Sequence, residues 1–165
     1  MSIARLHTAF VEIPSRVLGT LESPLLLATR LWVSWEFLKS GWLKITSWQN
    51  TLFLFQNEYR VPVLPPYEAA VVGTAGELVF PVLLILGVAG RLSAVGLFAV
   101  NVMAVVSYAH VLLTEGFEAA VGQHYLWGFA LLVLAVFGPG RLSFDALIGA
   151  PRNAASRGAF EVRIA

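Results

Sequence analysis

The stretch VVGTAGELVFPVLLILG, Val71 to Gly87, sets one carboxylate, Glu77, inside an otherwise apolar run that holds no basic residue. Extended to Tyr67–Ala89 and coiled as a helix at about 1.5 Å per residue, the run is long enough to cross the ~30 Å of hydrocarbon in a bilayer. Its reading decides the fold. A charge kept at that depth must be neutralised, either by a group brought in from another segment or by a proton.

Three further segments share this character, near Pro24–Ile45, Arg91–Leu113 and Ala119–Phe137. Length, more than periodicity, separates them from buried helices of a soluble protein. The breaks between them agree. NEYRVPVLPP ends the first and starts the second, GVAGR makes a tight turn, TEGFEAAVGQ makes a short acidic one, and GPGR closes the fourth. The expected fold class is therefore all-α, an integral membrane four-helix bundle.

Composition points the same way. Of 165 residues 58% are hydrophobic and 13% charged, and the mean hydropathy is +0.75, where soluble domains are nearer half apolar and a quarter charged. A net charge of +1 with no long basic run gives no reason to expect nucleic acid. The absence of cysteine excludes disulfides, thiolate metal sites, CxxC relays and cysteine nucleophiles. No GxSxG, phosphate loop or dinucleotide glycine pattern occurs, and the glycines of the second span read as close-packing positions.

Residues 1–23 differ from the rest. Arg5, His7, Glu12, Pro14 and Arg16 interrupt any secretory apolar core. Ile3, Leu6, Phe10, Ile13, Val17 and Leu21 instead recur at three-four spacing, as in an amphipathic segment lying on a membrane surface and broken at Pro14. The alternative is an unstructured tail. The chain thus divides into an N-terminal amphipathic segment 1–23, a four-helix membrane domain 24–147 and a tail 148–165.

Orientation follows from the basic residues outside the spans. Seven arginines, at positions 5, 16, 91, 141, 152, 157 and 163, fall on one side, and only Arg60, with Lys44 at the boundary, on the other. Both termini are expected in the cytoplasm of a multi-pass inner (plasma) membrane protein. The linker Gln49–Pro66 and the turn Thr114–Gly122 then face outward. Trp42, Trp48, Tyr59, Tyr67, Tyr108 and Tyr125 would form an aromatic belt at that outer boundary.

Within the spans lie Arg30, Glu36, Lys39 and Glu77. Two arrangements answer the Glu77 question. It pairs with Arg30 or a lysine of the first span and locks two helices together, or it is desolvated and stays protonated until a ligand or proton needs it. Gly73 and Gly76 allow another helix to approach its carboxylate. On the first span Arg30, Ser34, Phe37, Gly41 and Lys44 share one face at three-four spacing, while Glu36 and Lys39 project elsewhere and pair with each other. Asn101 is placed to hydrogen-bond between helices. His110 and His124 end the third span and open the fourth. With a carboxylate of the turn (Glu115 or Glu118) they define a candidate transition-metal site, weighed against two interfacial histidines that only meet water or headgroups.

RLWVSWEFLKSGWLKI (30–45), GELVFPVLLILGVAGRLSAVGL (76–97), SYAH (107–110) and GPGRLSFD (138–145) together resemble the DoxX family of small four-helix membrane proteins, over about Leu26–Leu147. Arg30, Phe37, Gly41 and Lys44 look like its first-helix pattern, Glu77, Gly87 and Arg91 like its second helix and following turn. His110 and Gly138-Pro139-Gly140 with Asp145 look like its third-helix end and closing signature. The resemblance implies a membrane subunit of an oxidoreductase or sulfur/redox system, linked to quinone-dependent oxidation of thiosulfate. The thiol–disulfide relay of more distant relatives cannot transfer, since it needs cysteines.

On that reading a quinone is held in the bundle. Glu77, with Lys39 or Arg30, handles the accompanying proton, and His110, Asn101 and Glu36 contact the cofactor. The alternative is a non-catalytic assembly factor, anchor or metal and small-molecule carrier. The expected partners are the lipid bilayer, a soluble or membrane oxidoreductase subunit, or further copies of the chain.

Overall fold

The structure is a computed structural model that describes Phe10 and residues 12–149, with Arg16 described by its backbone alone. The expected positions of Ile3 and Leu6 in a surface helix, and the tail from 150 onward, lie outside the described residues. Among the described residues every regular element is helical: α1 Ile13–Thr46, α2 Trp48–Asn57, α3 Pro66–Leu86, α4 Gly90–Ser107, α5 Ala109–Leu112, α6 Glu118–Phe137 and α7 Phe144–Leu147.

Helices α3, α4 and α6 are long and apolar enough to cross a membrane. The expected fourth span, α1, does not meet that description by composition. α1 has 34 residues, ample length, but Arg30, Glu36, Lys39 and Lys44 keep it out of the apolar class. From Ile13 the chain runs as one helix through Pro24, and Pro14 occupies the first turn, where its missing N–H would have found no partner in any case. Pro14 thus lies in the first turn of a helix that joins residues 13–23 to the first span without a break.

The four long helices close a ring in which α1 packs on α3, α3 on α4, α4 on α6, and α6 back on α1. Small residues set the close approaches. A Cβ on Gly41 of α1 would lie 2.9 Å from Leu78 and 3.1 Å from the Glu77 Cβ, and one on Gly76 of α3 would lie 2.7 Å from Val100 of α4. Gly41, more than Gly73 or Gly76, therefore brings α1 against the Glu77 turn. Gly76 serves α4, and Gly73 faces Phe55.

The ring is apolar outside and partly polar within. Trp35, Val72, Leu92, Phe129 and Val136 are exposed, while Arg30, Ser34, Thr74, Glu77, Ser93 and Asn101 are buried among Val33, Leu84, Leu97 and Leu131. A water-soluble domain has the opposite distribution; an exterior of this kind suits lipid.

The expected linker proves partly helical. Residues 48–57 form helix α2, which packs on α3 and α1. Phe55 is buried with Ala69 and Ala70, and Trp48, Leu52, Tyr59 and Val61 close around them. Thr51 Oγ1 donates to the Lys44 carbonyl at 3.0 Å, and the Arg60 N–H to the Ser107 carbonyl at 2.8 Å. The linker is thus fastened across one end of the ring. The expected third span also ends early: α4 stops at Ser107, and Tyr108 separates it from the single turn α5.

At the opposite end the GPGRLSFD segment is pinned from two sides. The buried Arg30 guanidinium donates through Nη2 to the Leu142 carbonyl. The Asp145 carboxylate accepts from the Ala89 and Gly90 N–H groups at 2.9 and 2.8 Å, which caps the first turn of α4. Asp145→Ala is expected to lower stability by about 1–2 kcal/mol, the usual cost of a lost cap. Reversible unfolding in mixed micelles checks it, and an unchanged midpoint would remove the capping role.

Candidate functional site

Glu77 sits midway along α3, and its partner is a lysine of the first helix. Lys44 Nζ lies 2.6 and 2.5 Å from Glu77 Oε1 and Oε2, and 2.9 Å from Ser40 Oγ. The Lys44 and Glu77 side chains are only 17% and 9% exposed. Lys44 rises from the last turn of α1 and bends back along the helix to reach a carboxylate well inside α3. Of the two arrangements open in the sequence, the structure shows the paired one. Pro81 adds a local feature: lacking an N–H, it leaves the Glu77 backbone carbonyl without its i+4 donor.

The ion pair faces a cavity of about 550 Å³. It occupies the half of the ring nearer α2. The α1–α3 side contributes Lys44 and Glu77, the α4–α6 side Val100, His124 and Trp127, and α2 with the linker contributes Phe55, Tyr59 and Leu64. The remaining lining is largely apolar, and Gly73 leaves room in the wall, whereas Gly96 admits the Phe80 ring against its backbone. The size falls within the usual range for small-molecule sites, as does the pattern of apolar walls with a few polar groups.

Across from the ion pair, Asn101 of α4 holds His124 of α6. Its Nδ2 donates to the His124 backbone carbonyl at 3.0 Å, and its Oδ1 lies 2.8 Å from His124 Nδ1. The imidazole meets Trp127 edge to face with centroids 5.0 Å apart, and Trp127 in turn meets Phe37 at 5.7 Å. At the mouth, Phe55, Tyr59, Tyr108 and His110 pack in successive T-shaped contacts. Tyr59 and Tyr108 therefore turn inward and leave the expected aromatic belt, while Trp42, Tyr67 and Tyr125 are exposed as a belt requires. Burial first, and then the Glu77 charge, raise the Tyr59 phenol above its ordinary range, so it remains a neutral hydroxyl.

The residues singled out in the sequence are thus dispersed. Glu77 is at the centre. Asn101 makes the expected inter-helix bonds. Glu36 reaches the cavity edge and pairs with Lys39 at 2.8 Å, as the spacing predicts, but Lys39 is half exposed and lines no part of the cavity. Arg30 is buried at the far end of α1 against the Leu142 carbonyl and also lies outside the lining. His110 is exposed and stacks on Tyr108, whereas His124 is bound to Asn101. No group of three or more His, Cys, Asp or Glu placed to hold a metal occurs among the described residues. The sequence points to no site role for Trp127 or Phe55, and to Lys44 only as one lysine of the first span. Lys44 was nonetheless marked by its place on the Arg30–Ser34–Phe37–Gly41 face.

Fold and site define a membrane protein whose apolar helices enclose a cavity served by one buried ion pair. The DoxX family model matches residues 25–110, and the chain belongs to the DoxX family. It is also 32% identical over 128 residues to an uncharacterized protein of Haemophilus influenzae, covering 74% of this chain and 82% of that one. No solved structure matches the chain.

Proposed function

We propose that the chain is a membrane subunit of a redox system and that its cavity binds a lipid-soluble carrier of the quinone type. In this reading all four long helices span the plasma membrane as a bundle. Both chain ends lie in the cytoplasm, on the side marked by the arginines, and α2 caps the outer end. The observation that carries the proposal is the cavity itself: about 550 Å³, walled by aromatic and aliphatic side chains, with a lysine–glutamate pair at its centre.

Such a cavity fits a substituted ring better than it fits an ion or a sugar. Phe37, Phe80 and Trp127 offer flat apolar surface, and the polar groups are few and fixed. A carrier of this class supplies two-electron chemistry coupled to protons. The protein's part is to orient the ring, exclude water and present Glu77 and His124 to its oxygens. Arg30 and Lys39, named in the sequence reading for the proton, are replaced in this proposal by Lys44.

The test is binding in lipid nanodiscs, read from quenching of tryptophan fluorescence by a short-chain benzoquinone offered in its oxidised and, anaerobically, its reduced form. Saturable binding at one per chain is expected. Gly73→Leu, which projects into the cavity where a Cβ meets only Phe55 at 3.6 Å, is expected to weaken it at least about tenfold, the equivalent of one lost favourable contact of ~1.4 kcal/mol. Absence of saturable binding would remove the proposal and leave a non-catalytic membrane module, whose polar interior only holds the helices in register.

A further inference from the structure

The groups that face the cavity have a definite hydrogen-bond sense. Lys44 directs its three ammonium protons to Ser40 Oγ and the two Glu77 oxygens. The ammonium has no other donors, so the ion pair presents the remaining lone pairs of the Glu77 carboxylate, beside a Ser40 hydroxyl that accepts from Lys44 and keeps its own proton to donate. On the other side, the Asn101 amide is oriented by its own geometry. Nδ2 donates to the His124 backbone carbonyl, and a flipped amide would set two carbonyl oxygens against each other. Oδ1 must then accept from His124 Nδ1–H.

A neutral imidazole carries one ring proton, and here it is on Nδ1. His124 Nε2 is left as a bare acceptor. It has no protein partner among the described residues and is not among the buried atoms sealed without one, and His124 lines the cavity. Both polar walls therefore offer lone pairs.

We infer that the cavity selects a flat apolar ring bearing two hydroxyl groups, one donating to Glu77 and the other to His124 Nε2. The inference rests on the reading of the cavity as a carrier site and specifies which form it holds: the reduced diol, not the dione. A dione brings only acceptors and would set its carbonyl lone pairs against those of Glu77 and His124. The Trp127 N–H and the Ser40, Tyr59, Ser107 and Tyr108 hydroxyls at the lining do not reverse the choice. A hydroxyl oxygen accepts from them while its proton is given elsewhere. A site built around unpaired acceptors discriminates strongly against a ligand that lacks the matching donor.

Equilibrium dialysis under anaerobic conditions, with the protein in nanodiscs, tests this with three ligands: a short-chain benzoquinol, its dione, and its di-O-methyl ether. The diol is expected to bind at least about tenfold more tightly than either of the others, on the order of one unmatched buried acceptor. His124→Phe keeps a flat ring beside Trp127 and removes the acceptor. It is expected to bring the diol and dione affinities to within about threefold by weakening the diol alone. Equal or tighter binding of the dione, or a diol preference that survives in His124→Phe, overturns the inference while leaving the carrier site standing. Failure of all three ligands to bind overturns both.

Discussion

Lys44→Met is expected to destabilise the protein by about 3–5 kcal/mol, the loss seen when one partner of a buried ion pair is removed and the other charge stays behind. The size follows from position. Glu77 lies in the middle of α3 with a side chain only 9% exposed, and both of its oxygens take their protein hydrogen bonds from Lys44. Methionine keeps most of the volume and removes the cation, so the loss reports the stranded carboxylate more than a void. The double variant Lys44→Met with Glu77→Leu is expected to regain most of it, because apolar replacement of a whole pair is often neutral. A control lies on the same helix. Lys39 pairs with Glu36 at 2.8 Å, but its side chain is 51% exposed, and Lys39→Met should move stability by no more than about 0.5 kcal/mol. Reversible unfolding in mixed micelles gives all three values. A Lys44→Met loss below about 1 kcal/mol would mean that the pair is hydrated like a surface one and that Glu77 needs no cation.

The helical class, the family and the central place of Glu77 were legible because each rests on a local property of the chain. A charge in a 17-residue apolar stretch is conspicuous. The three-four spacing of Arg30, Ser34, Phe37, Gly41 and Lys44 read the inner face of α1 correctly, since all but Lys44 are fully buried and Lys44 turns inward. What spacing could not tell was which of the three basic groups of the first span, Arg30, Lys39 or Lys44, reaches Glu77. That depends on the register between antiparallel helices, which Gly41 sets by admitting α3 at Glu77 and Leu78. Lys44 was counted as a boundary residue because depth was measured at the Cα, and a lysine side chain spans more than a helical turn.

Helix α2 was hidden for another reason. The prolines at 62, 65 and 66 mark a linker, and that reading was extended back over residues that contain no breaker. Trp48, Thr51, Phe55 and Tyr59 already repeat at three-four spacing there. The His124–Asn101 pair escaped because short-turn neighbours suggested that the two histidines would meet. The break at Tyr108 instead turns His110 outwards, and Asn101, deeper on α4, takes His124.

Gly87→Ala is the other substitution expected to be severe, at about 2–5 kcal/mol. Two independent causes add. Gly87 ends α3 in the left-handed region at φ 69°, with its own N–H bonded to the Leu84 carbonyl and that of Val88 to the Leu83 carbonyl. A Cβ there costs about 1–2 kcal/mol from backbone sterics alone. It would also overlap Arg30 Nη1 and lie 2.5 Å from Ser143 Cβ and 3.0 Å from the Ser143 Cα. The second is main chain and cannot swing aside, so overpacking contributes a further ~1–3 kcal/mol. The damage should spread: Arg30 would leave the Leu142 carbonyl, and the closing segment would lose its grip on the α3–α4 turn, where the Asp145 N–H bonds the Gly87 carbonyl at 3.0 Å. Gly122→Ala provides the contrast, since its Cβ meets nothing within 4 Å and its backbone is helical. That change is expected to be neutral or to stabilise by up to about 1 kcal/mol through helix propensity. Equal midpoints for the two alanine variants would mean that the turn relaxes freely. Arg30 would then be a buried passenger, not the clamp that joins α1 to the closing segment.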